Sequence, residues 1–287
     1  MRKNSINNGL GTIFVSYHKP FKILNSNIIV PIHAGRLINE ESKDGKLKTD
    51  DIKWLTEKTI GDDSGDNISI KNREYCECTV LYWIWKNINY WDLQYVGLMQ
   101  YHRYFIFNGL FEKRKNNIEK ETYKCITIKS KTKNILNKIG INHQKIINLL
   151  SEFDCIVPYP SELKNINIFS IYEDYANIKG LHLDDLICLK NLMNEIDYKN
   201  KNLFSKYLES PWKIMYQMFI VKPKIFEDYS KWLFNILSIL DKKIDTSFYS
   251  INGKRTMGYL AEILYGYYFS LYRKDLKIKN LGIAFIE

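Results

Sequence analysis

At 287 residues the chain can bury a large core, and its composition, 45% hydrophobic with 14% aromatic, excludes a disordered chain. No apolar run approaches the roughly 20 residues needed to span a bilayer, and residues 1–9 lack the apolar core of a signal peptide, so we expect a cytoplasmic protein. The 42 Lys and Arg against 32 Asp and Glu, a net charge of +10, imply attraction to nucleic acid, to an anionic membrane face or to a phosphorylated substrate.

Strand and helix patterns alternate in the first part of the chain. Residues 11–20 form an apolar, β-branched run that ends at polar residues and a proline, which is typical of a short buried strand followed by a break. Residues 72–87 carry aromatic side chains at helical spacing, which predicts a largely buried helix. We predict strands over 11–20, 27–33, 94–99 and 153–160, and helices over 50–58, 72–87 and 142–152.

Helices dominate from residue 168 onward. Pro223 begins the longest of them, at a position that proline favours, and the aromatic face of that helix suits an anionic membrane surface or, more simply, a buried core. The other predicted helices cover 168–177, 183–196, 202–208 and 255–272, and the predicted strands cover 213–221 and 277–285.

The alternation of strands and helices predicts an α/β fold with a mostly parallel sheet, whose ligands bind at the carboxyl ends of the strands. Polar clusters follow four predicted strands, and by this rule they converge at one edge: residues 16–19, 33–36, 100–103 and the tail of 154–160. The polar region 108–138 fits a flap or an insertion, and its basic stretch from Lys113 to Lys133 fits a solvated loop better than a polyanion site.

Common catalytic and nucleic-acid motifs are missing from the sequence. It contains no Walker loop, no Gly-x-Gly-x-x-Gly, no zinc signature, no Gly-x-Ser-x-Gly elbow and no recognisable nucleic-acid module. We therefore expect no nucleic-acid partner and name no metal ligand. Residues 62–66 nevertheless carry three carboxylates, which would suit a divalent ion such as Mn or Mg bridging a diphosphate or, equally, an acidic turn that caps the next helix. Asn67, Ser69 and Asn72 fit either interpretation.

Several side chains at predicted strand ends are candidates for a binding site. His102 and Arg103 could hold phosphate oxygens by charge-assisted hydrogen bonds, or form an internal salt bridge and a satisfied surface histidine. His18 and His33 also sit at strand ends, where a structural role is at least as common. Ala34 and Gly35 would let a ligand approach the backbone.

A carboxylate interrupts the apolar helix near the end of the chain. Glu262 lies seven residues after Arg255, two turns along on nearly the same face, and such a group must be paired, exposed or functional. Gly258 between them would leave room for a ligand. His182 precedes two aspartates, which is ordinary for a helix start.

These segments together resemble a bacterial family found in capsule, exopolysaccharide and lipopolysaccharide gene clusters, whose members are regarded as glycosyltransferases. The similarity runs in order through nearly the whole chain, in segments that include Tyr95-Val-Gly-Leu-Met-Gln-Tyr-His-Arg-Tyr-Phe. The other segments are 13–19, 31–35, 65–72, 75–77, 81–87, 217–221, 229–237 and 255–262.

The resemblance implies a GT-A-like fold in a single domain, with a donor-binding half at about 1–160 and a more helical acceptor half at about 161–287. It implies a UDP-hexose donor, galactose or its furanose form, and a saccharide acceptor, free or lipid-linked, with peripheral membrane contact in the second case. A noncatalytic saccharide-binding or assembly subunit is the alternative from a different class, and a nucleic-acid-binding protein is a weaker one.

The resemblance also assigns roles to residues. The donor would bind at Ser16, His18, Lys19, Ala34, Gly35, Asn67, Ser69, Asn72, His102 and Arg103, and the acceptor at His182, Gln217 and Arg255. For an inverting transfer, Glu262 is the first candidate for the general base and Asp154 the second.

Two positions depart from the family pattern. That pattern has His-Tyr-Arg-Arg where this chain has Gln100-Tyr-His-Arg, and Asn where this chain has Gln217. Because His102 replaces an arginine, donor binding is expected to weaken above pH 7.

Overall fold

Strands and helices alternate along the chain in the computed structural model, which describes residues 9–41, 48–108, 112–115, 119–122, 125–196 and 201–287. The strands are β1 Thr12–Tyr17, β2 Ile29–His33, β3 Ile60–Gly61, β4 Val96–Gln100, β5 Arg103–Phe105, β6 Glu112–Lys115, β7 Glu119–Thr122, β8 Cys125–Ile128, β9 Cys155–Pro158, β10 Ser161–Glu162, β11 Trp212–Lys213, β12 Phe219–Val221, β13 Ile278–Leu281 and β14 Ile283–Ile286. The helices are α1 Arg36–Glu41, α2 Thr49–Lys58, α3 Asn72–Tyr75, α4 Cys78–Asn87, α5 Ile135–Ile139, α6 His143–Glu152, α7 Ile171–Asn177, α8 Leu183–Ile196, α9 Lys201–Leu208, α10 Pro223–Leu240 and α11 Thr256–Tyr267.

A mostly parallel sheet runs through the centre of the described chain, in the order β13-β9-β12-β4-β1-β2-β3. β1 is parallel to β2 and β4, β2 to β3, and β9 to β13. β12 is antiparallel to both of its neighbours, β4 and β9. β5, β14 and β8 extend from the end of β4. This mixed α/β architecture, with helices on either side of the sheet, confirms the predicted fold class.

The central strands are buried on both faces, as parallel strands usually are. In β1, Phe14 belongs to one apolar core and Ile13 and Val15 to the other, because successive side chains point to opposite faces of a sheet. The first core is covered by α4, α8, α10 and α11, and the second by α2, α5 and α6. The aromatic face of α10 lies in the first core, which explains its aromatic residues without a membrane.

Two predicted elements are interrupted in the structure. The predicted helix 72–87 is two helices, α3 and α4, because Cys76 between them has a φ of +50°. The predicted strand 213–221 is two short strands, β11 and β12, separated at Tyr216 and Gln217, whose φ angles are +77° and +47°. Left-handed backbone is uncommon for residues other than glycine and clusters at functional sites.

Some sequence predictions fall wholly or partly outside the described residues. Residues 1–8, on which the expectation about a signal peptide rests, are not described, and the same holds for Lys124 and others in the basic stretch. The region 108–138 holds the β6–β7 pair, β8 and α5 where it is described. Across the described ranges, no helix is both long and apolar enough to cross a membrane.

Candidate functional site

A cavity of about 780 Å³ lies at the carboxyl ends of β1, β2 and β4. The end of α3, the Tyr216 turn, residues 251–255 and one side chain of α11 complete its walls. Its lining residues are Ser16, His18, Lys19, Ala34, Ile38, Asn72, Arg73, Cys76, Glu77, Gln100, Tyr101, His102, Arg103, Tyr216, Ile251, Lys254, Arg255 and Glu262.

Strand register brings three of the predicted polar clusters together. Ser16 pairs with Gln100, and Tyr17 with His33, so the residues that follow β1, β2 and β4 meet at one edge of the sheet. β9 ends at the same edge, because β9 and β4 are both antiparallel to β12. Residues 154–160, all described, do not line the cavity.

Asp154 lies at the opposite end of the sheet, so the structure does not support it as the catalytic base. Asp154 precedes Cys155, which pairs with Val221 across the sheet. Val221 also pairs with Val96, which lies four residues before Gln100, at the opposite end of β4. At about 3.3 Å per residue, the two ends are about 13 Å apart. The Asp154 carboxylate accepts hydrogen bonds from Lys222 Nζ and from the backbone N–H of Lys277, each at 2.9 Å. The Lys277 N–H is the main cause that lowers the pKa of Asp154.

The acidic segment holds the cavity wall in place. Asp62, fully buried, accepts hydrogen bonds from the backbone N–H groups of Gly35 and Arg36 at 2.8 and 3.1 Å. It also accepts hydrogen bonds from the hydroxyls of Ser69 and Thr79, at 2.6 and 2.7 Å. These bonds tie the end of β2 to α4, so the carboxylate acts as a structural anchor.

This donor set does not fit a divalent metal ion. Both oxygens of Asp62 are already committed, and Asp66 accepts a hydrogen bond from the Tyr82 hydroxyl at 3.1 Å. No group of three His, Cys, Asp or Glu side chains suited to a metal occurs within the described ranges.

Three of the residues expected to contact the donor act instead within this anchor. Ser69 is fully buried and hydrogen-bonded to Asp62. Asn67 Nδ2 donates to the backbone carbonyls of Asp63 and Gly65, at 3.2 and 3.0 Å. A Cβ on Gly35 would lie 2.5 Å from the Cβ of Asn72. Glycine is therefore required at position 35 by packing against Asn72, and Asn72 itself lines the cavity.

One wall of the cavity is cationic. Arg103 donates to Gln100 Oε1 and lies 4.5 Å from the centre of the Tyr216 ring. Two buried nitrogens on this wall, Arg103 Nε and His102 Nδ1, have no hydrogen-bond partner among the described residues. Other unpaired buried atoms lie in the core of the described chain, at Tyr229 for example, so the charge of Arg103, and not its unpaired nitrogen, is what suits this wall to an anion.

The histidines of the cavity are neutral at physiological pH. Burial, together with the charges of Arg103 and Lys19, lowers the pKa of His102 to about 4. Desolvation, Lys19 and Arg255 likewise lower the pKa of His18 to about 4. The expected weakening of donor binding above pH 7 therefore does not follow for the ligand-free protein, since His102 carries no charge to lose.

Two carboxylates line the described cavity, and they have different partners. Glu262 Oε1 lies 3.3 Å from the ammonium of Lys213, and its Oε2 accepts the backbone N–H of Tyr216 at 2.9 Å. Glu77 accepts a hydrogen bond from Gln100 Nε2 at 3.3 Å. Burial, reinforced by the nearby charge of Glu262, raises the pKa of Glu77 to about 7.

Of the three residues predicted to bind the acceptor, one lines the cavity. Arg255 lines the cavity, with its Nε 3.4 Å from Cys76 Sγ. Gln217 is buried and bonds the carbonyl of Gly258 at 3.3 Å, and His182 stacks on Tyr249 outside the cavity, with ring centres 4.0 Å apart.

Gly258 does not leave room for a ligand. A Cβ there would lie 2.8 Å from Cys76 Sγ, so the glycine admits the end of α3 instead.

Glu77 is not among the site residues that the sequence predicted. It interrupts a buried, aromatic segment just as Glu262 interrupts an apolar helix, so the criterion that selected Glu262 would have found it. Arg73, Tyr216 and Lys254 were missed as well, and only their tertiary position marks them.

Two comparisons with known proteins give matches that cover most of the chain. The family model described as a domain of unknown function, DUF4422, matches residues 12–274. A solved structure described as the WbbM bifunctional glycosyltransferase in its apo form is 28% identical, with a TM-score of 0.78. The match covers 96% of this chain and 45% of that one, so this chain spans less than half of that protein's length. No curated protein matches the chain.

Proposed function

The chain belongs to the DUF4422 family, and from this membership, the fold and the cavity we propose that it is a glycosyltransferase. It transfers a hexose, galactose or galactofuranose, from a UDP-sugar to a saccharide acceptor in the synthesis of a surface polysaccharide. The similarity to the WbbM bifunctional glycosyltransferase supports transfer of a sugar. The donor and the acceptor are inferred from the cavity and from the sequence resemblance.

The excess of cations in the cavity lining is the observation that carries this proposal. Among the described lining residues are five Lys and Arg side chains, Lys19, Arg73, Arg103, Lys254 and Arg255, against two carboxylates. A diphosphate carries the opposite charge, and the guanidinium groups of Arg103 and Arg255, which can only donate hydrogen bonds, suit its acceptor oxygens. The volume, about 780 Å³, is that of a typical small-molecule site.

The strand ends suit the nucleoside part of the donor. Ser16, His18 and Ala34 line the cavity where β1 and β2 end. The His18 ring meets the Tyr101 ring edge-on, with ring centres 5.0 Å apart. The uracil and ribose would bind on this side, which leaves the side of Arg255 and Glu262 for the hexose and the acceptor.

The cations of the chain can stabilise the leaving group without a metal. Charge develops on the diphosphate as its bond to the sugar breaks, and preorganised donors such as Arg103 and Arg255 stabilise that charge. Since Asp62 and Asp66 are engaged in hydrogen bonds within the protein, we expect donor binding to survive chelation of divalent metals.

The test is turnover of a panel of UDP-hexoses, with UDP release followed in the presence of water or of alkyl hexosides as acceptors. We expect one UDP-hexose to be hydrolysed slowly by water and faster with an acceptor, and a chelator to leave the rate unchanged. Binding of an alkyl hexoside without turnover of any UDP-hexose would support a noncatalytic saccharide-binding protein instead. The absence of both binding and turnover would reject the proposal.

A further inference from the structure

Glu262, the carboxylate that the sequence favoured as the base, already has an ion-pair partner within the protein. Its ion-pair partner, Lys213, is only 4% exposed and also pairs with Asp174 at 2.7 Å. Protonation of Glu262 would weaken this ion pair and the hydrogen bond from the Tyr216 N–H. Both oxygens of Glu262 are therefore engaged within the protein, which makes Glu262 a weaker candidate for the base than a carboxylate without an ion pair.

Glu77 reaches the cavity through the break between α3 and α4. Cys76 has a φ of +50°, and its carbonyl accepts a hydrogen bond from Asn72 Nδ2 at 2.7 Å. Its thiol fits against Gly258, where any side chain would clash. Strained backbone persists only where its surroundings over-determine it, and here the break sets Glu77 on the cavity wall.

Gln100 orients the Glu77 carboxylate. Its Oε1 accepts from Arg103, which can only donate, so its Nε2 faces Glu77 at 3.3 Å and the carbonyl of Tyr216 at 3.0 Å. The side-chain amide of Gln100 therefore links Arg103, on the donor side of the cavity, to the carboxylate of Glu77 through hydrogen bonds. Within the described chain, no Lys, Arg or His forms an ion pair with Glu77.

We propose that Glu77 is the general base of the transfer and that Gln100 is the residue that positions it. The inference rests on the proposed transferase function. Glu77 takes the proton of the acceptor hydroxyl, and the hydroxyl oxygen forms a bond to the anomeric carbon. The bond from that carbon to the diphosphate breaks, and its electron pair leaves on the diphosphate, near Arg103. The proton passes to solvent before the next turnover.

The proton affinity of Glu77 suits this role at neutral pH. A base works best when its pKa lies near the working pH. Burial and the charge of Glu262 raise the pKa of Glu77 to about 7, against the opposing charges of Arg255 and Arg103. The wild-type rate should therefore rise with pH and level off above about pH 7.

The experiment compares Glu77→Gln, Glu262→Gln and Glu74→Gln, with the UDP-hexose that the wild type turns over fastest. Glu74 is a matched control, because it lies on α3, three residues before Glu77, and burial raises its pKa as well. It does not line the cavity and bonds Thr246 instead. We expect Glu77→Gln to lower kcat by about 100-fold or more, to keep the affinity for UDP, and to lose the rise of rate with pH.

The controls separate failure of the base from failure of the function. Glu74→Gln should keep the wild-type rate and pH profile. Normal turnover by Glu77→Gln beside an active wild type, or loss of the pH rise in Glu262→Gln alone, would overturn the assignment of the base. No turnover by the wild type would reject the function itself and the base with it.

Further variants keep the proposal testable if Glu77→Gln does not fold. Glu77→Asp keeps the acid but withdraws it by one methylene, so we expect a rate reduced by about 10- to 100-fold with the pH rise retained. Gln100→Leu removes a hydrogen bond to the anion, which should move the midpoint of the pH profile upward. An unmoved midpoint would reject the positioning role of Gln100, and a full rate in Glu77→Asp with no pH rise would reject the base.

Discussion

The two ends of the central strands carry similar polar residues with different partners. At the amino end of β9, Asp154 is satisfied by Lys222 and by the Lys277 N–H. At the carboxyl ends of β1 and β4, His102 and Arg103 keep buried nitrogens without a partner in the described chain. The polar groups at one end are satisfied within the protein, and those at the other end line the cavity.

The two ends of the sheet also differ in their backbone conformation. Cys76, Tyr216 and Gln217 have positive φ angles, and each lines the cavity or adjoins a residue that does. Near the opposite end, Glu227 accepts hydrogen bonds from Trp85 and Tyr90 on regular elements. The positive φ angles indicate a binding site together with the cationic lining of the cavity.

The largest expected effect is a loss of stability on replacing Asp62. This residue lies at the cavity end of the sheet, and the prediction tests whether its role there is structural. Asp62→Ala would leave two backbone N–H groups and two hydroxyls without their acceptor, at about 1–3 kcal/mol for each buried donor that finds no other partner. We expect a loss of at least about 3 kcal/mol in the free energy of unfolding, measured by urea denaturation. A variant as stable as the wild type would contradict the anchor role.

The second prediction concerns Arg103 and a matched cation at the other end, Lys222. Arg103→Met removes a charge-assisted hydrogen bond to the donor, so we expect the Kd for UDP to rise by about 10- to 100-fold. Lys222→Met should leave it unchanged, since Lys222 pairs with Asp154 away from the cavity. Calorimetric titration with UDP would measure the Kd of both variants. Equal losses of UDP affinity in the two variants would contradict the difference between the two ends of the sheet.

The third prediction concerns how the free energy of unfolding changes with pH, through His33 at the cavity end and Asp154 at the opposite end. Burial and the charge of Arg36 lower the pKa of fully buried His33 to about 3. The unfolded chain therefore gains a proton below about pH 6.5 that the native state does not take up, so stability falls as the pH drops.

From His33 alone we expect a slope of about 1 kcal/mol per pH unit between pH 6 and 4. Asp154, whose pKa is lowered, contributes only below about pH 3.8. Glu77, with its raised pKa, acts in the opposite direction, so the comparison must be made between the wild type and His33→Gln. Identical pH profiles of the two proteins in urea denaturation would disprove this account.

The smallest expected effect is that of Asp154→Asn. Its ion pair with Lys222 is partly exposed, at 30% and 40%, and such pairs contribute about 0–1 kcal/mol. We expect a small loss of stability and an unchanged rate of sugar transfer, measured on the same preparation. A folded Asp154→Asn protein without activity would place the chemistry at the opposite end of the sheet and refute the cavity as the site.

Local sequence signals were sufficient for most of the fold. The β-branched run of β1 and the proline that begins α10 predicted these elements, because they report short-range preferences that the core reinforces. The polar residues after β1, β2 and β4 predicted a site, since parallel strands deliver their carboxyl ends to one edge. The α/β class, the sheet and this edge of the cavity were therefore determined by the sequence.

Only the tertiary structure decided which carboxylates are free to act. Asp154, Glu262 and Glu77 are alike as sequence features, and what separates them is a partner distant in the chain: Lys222 for Asp154, Lys213 for Glu262 and Gln100 for Glu77. Helical spacing also favoured an unbroken helix through Cys76, and contacts with Asn72 and Gly258 override it. Propensity is a weak local preference, whereas burial and charge pairing are set by residues that meet only in the folded chain.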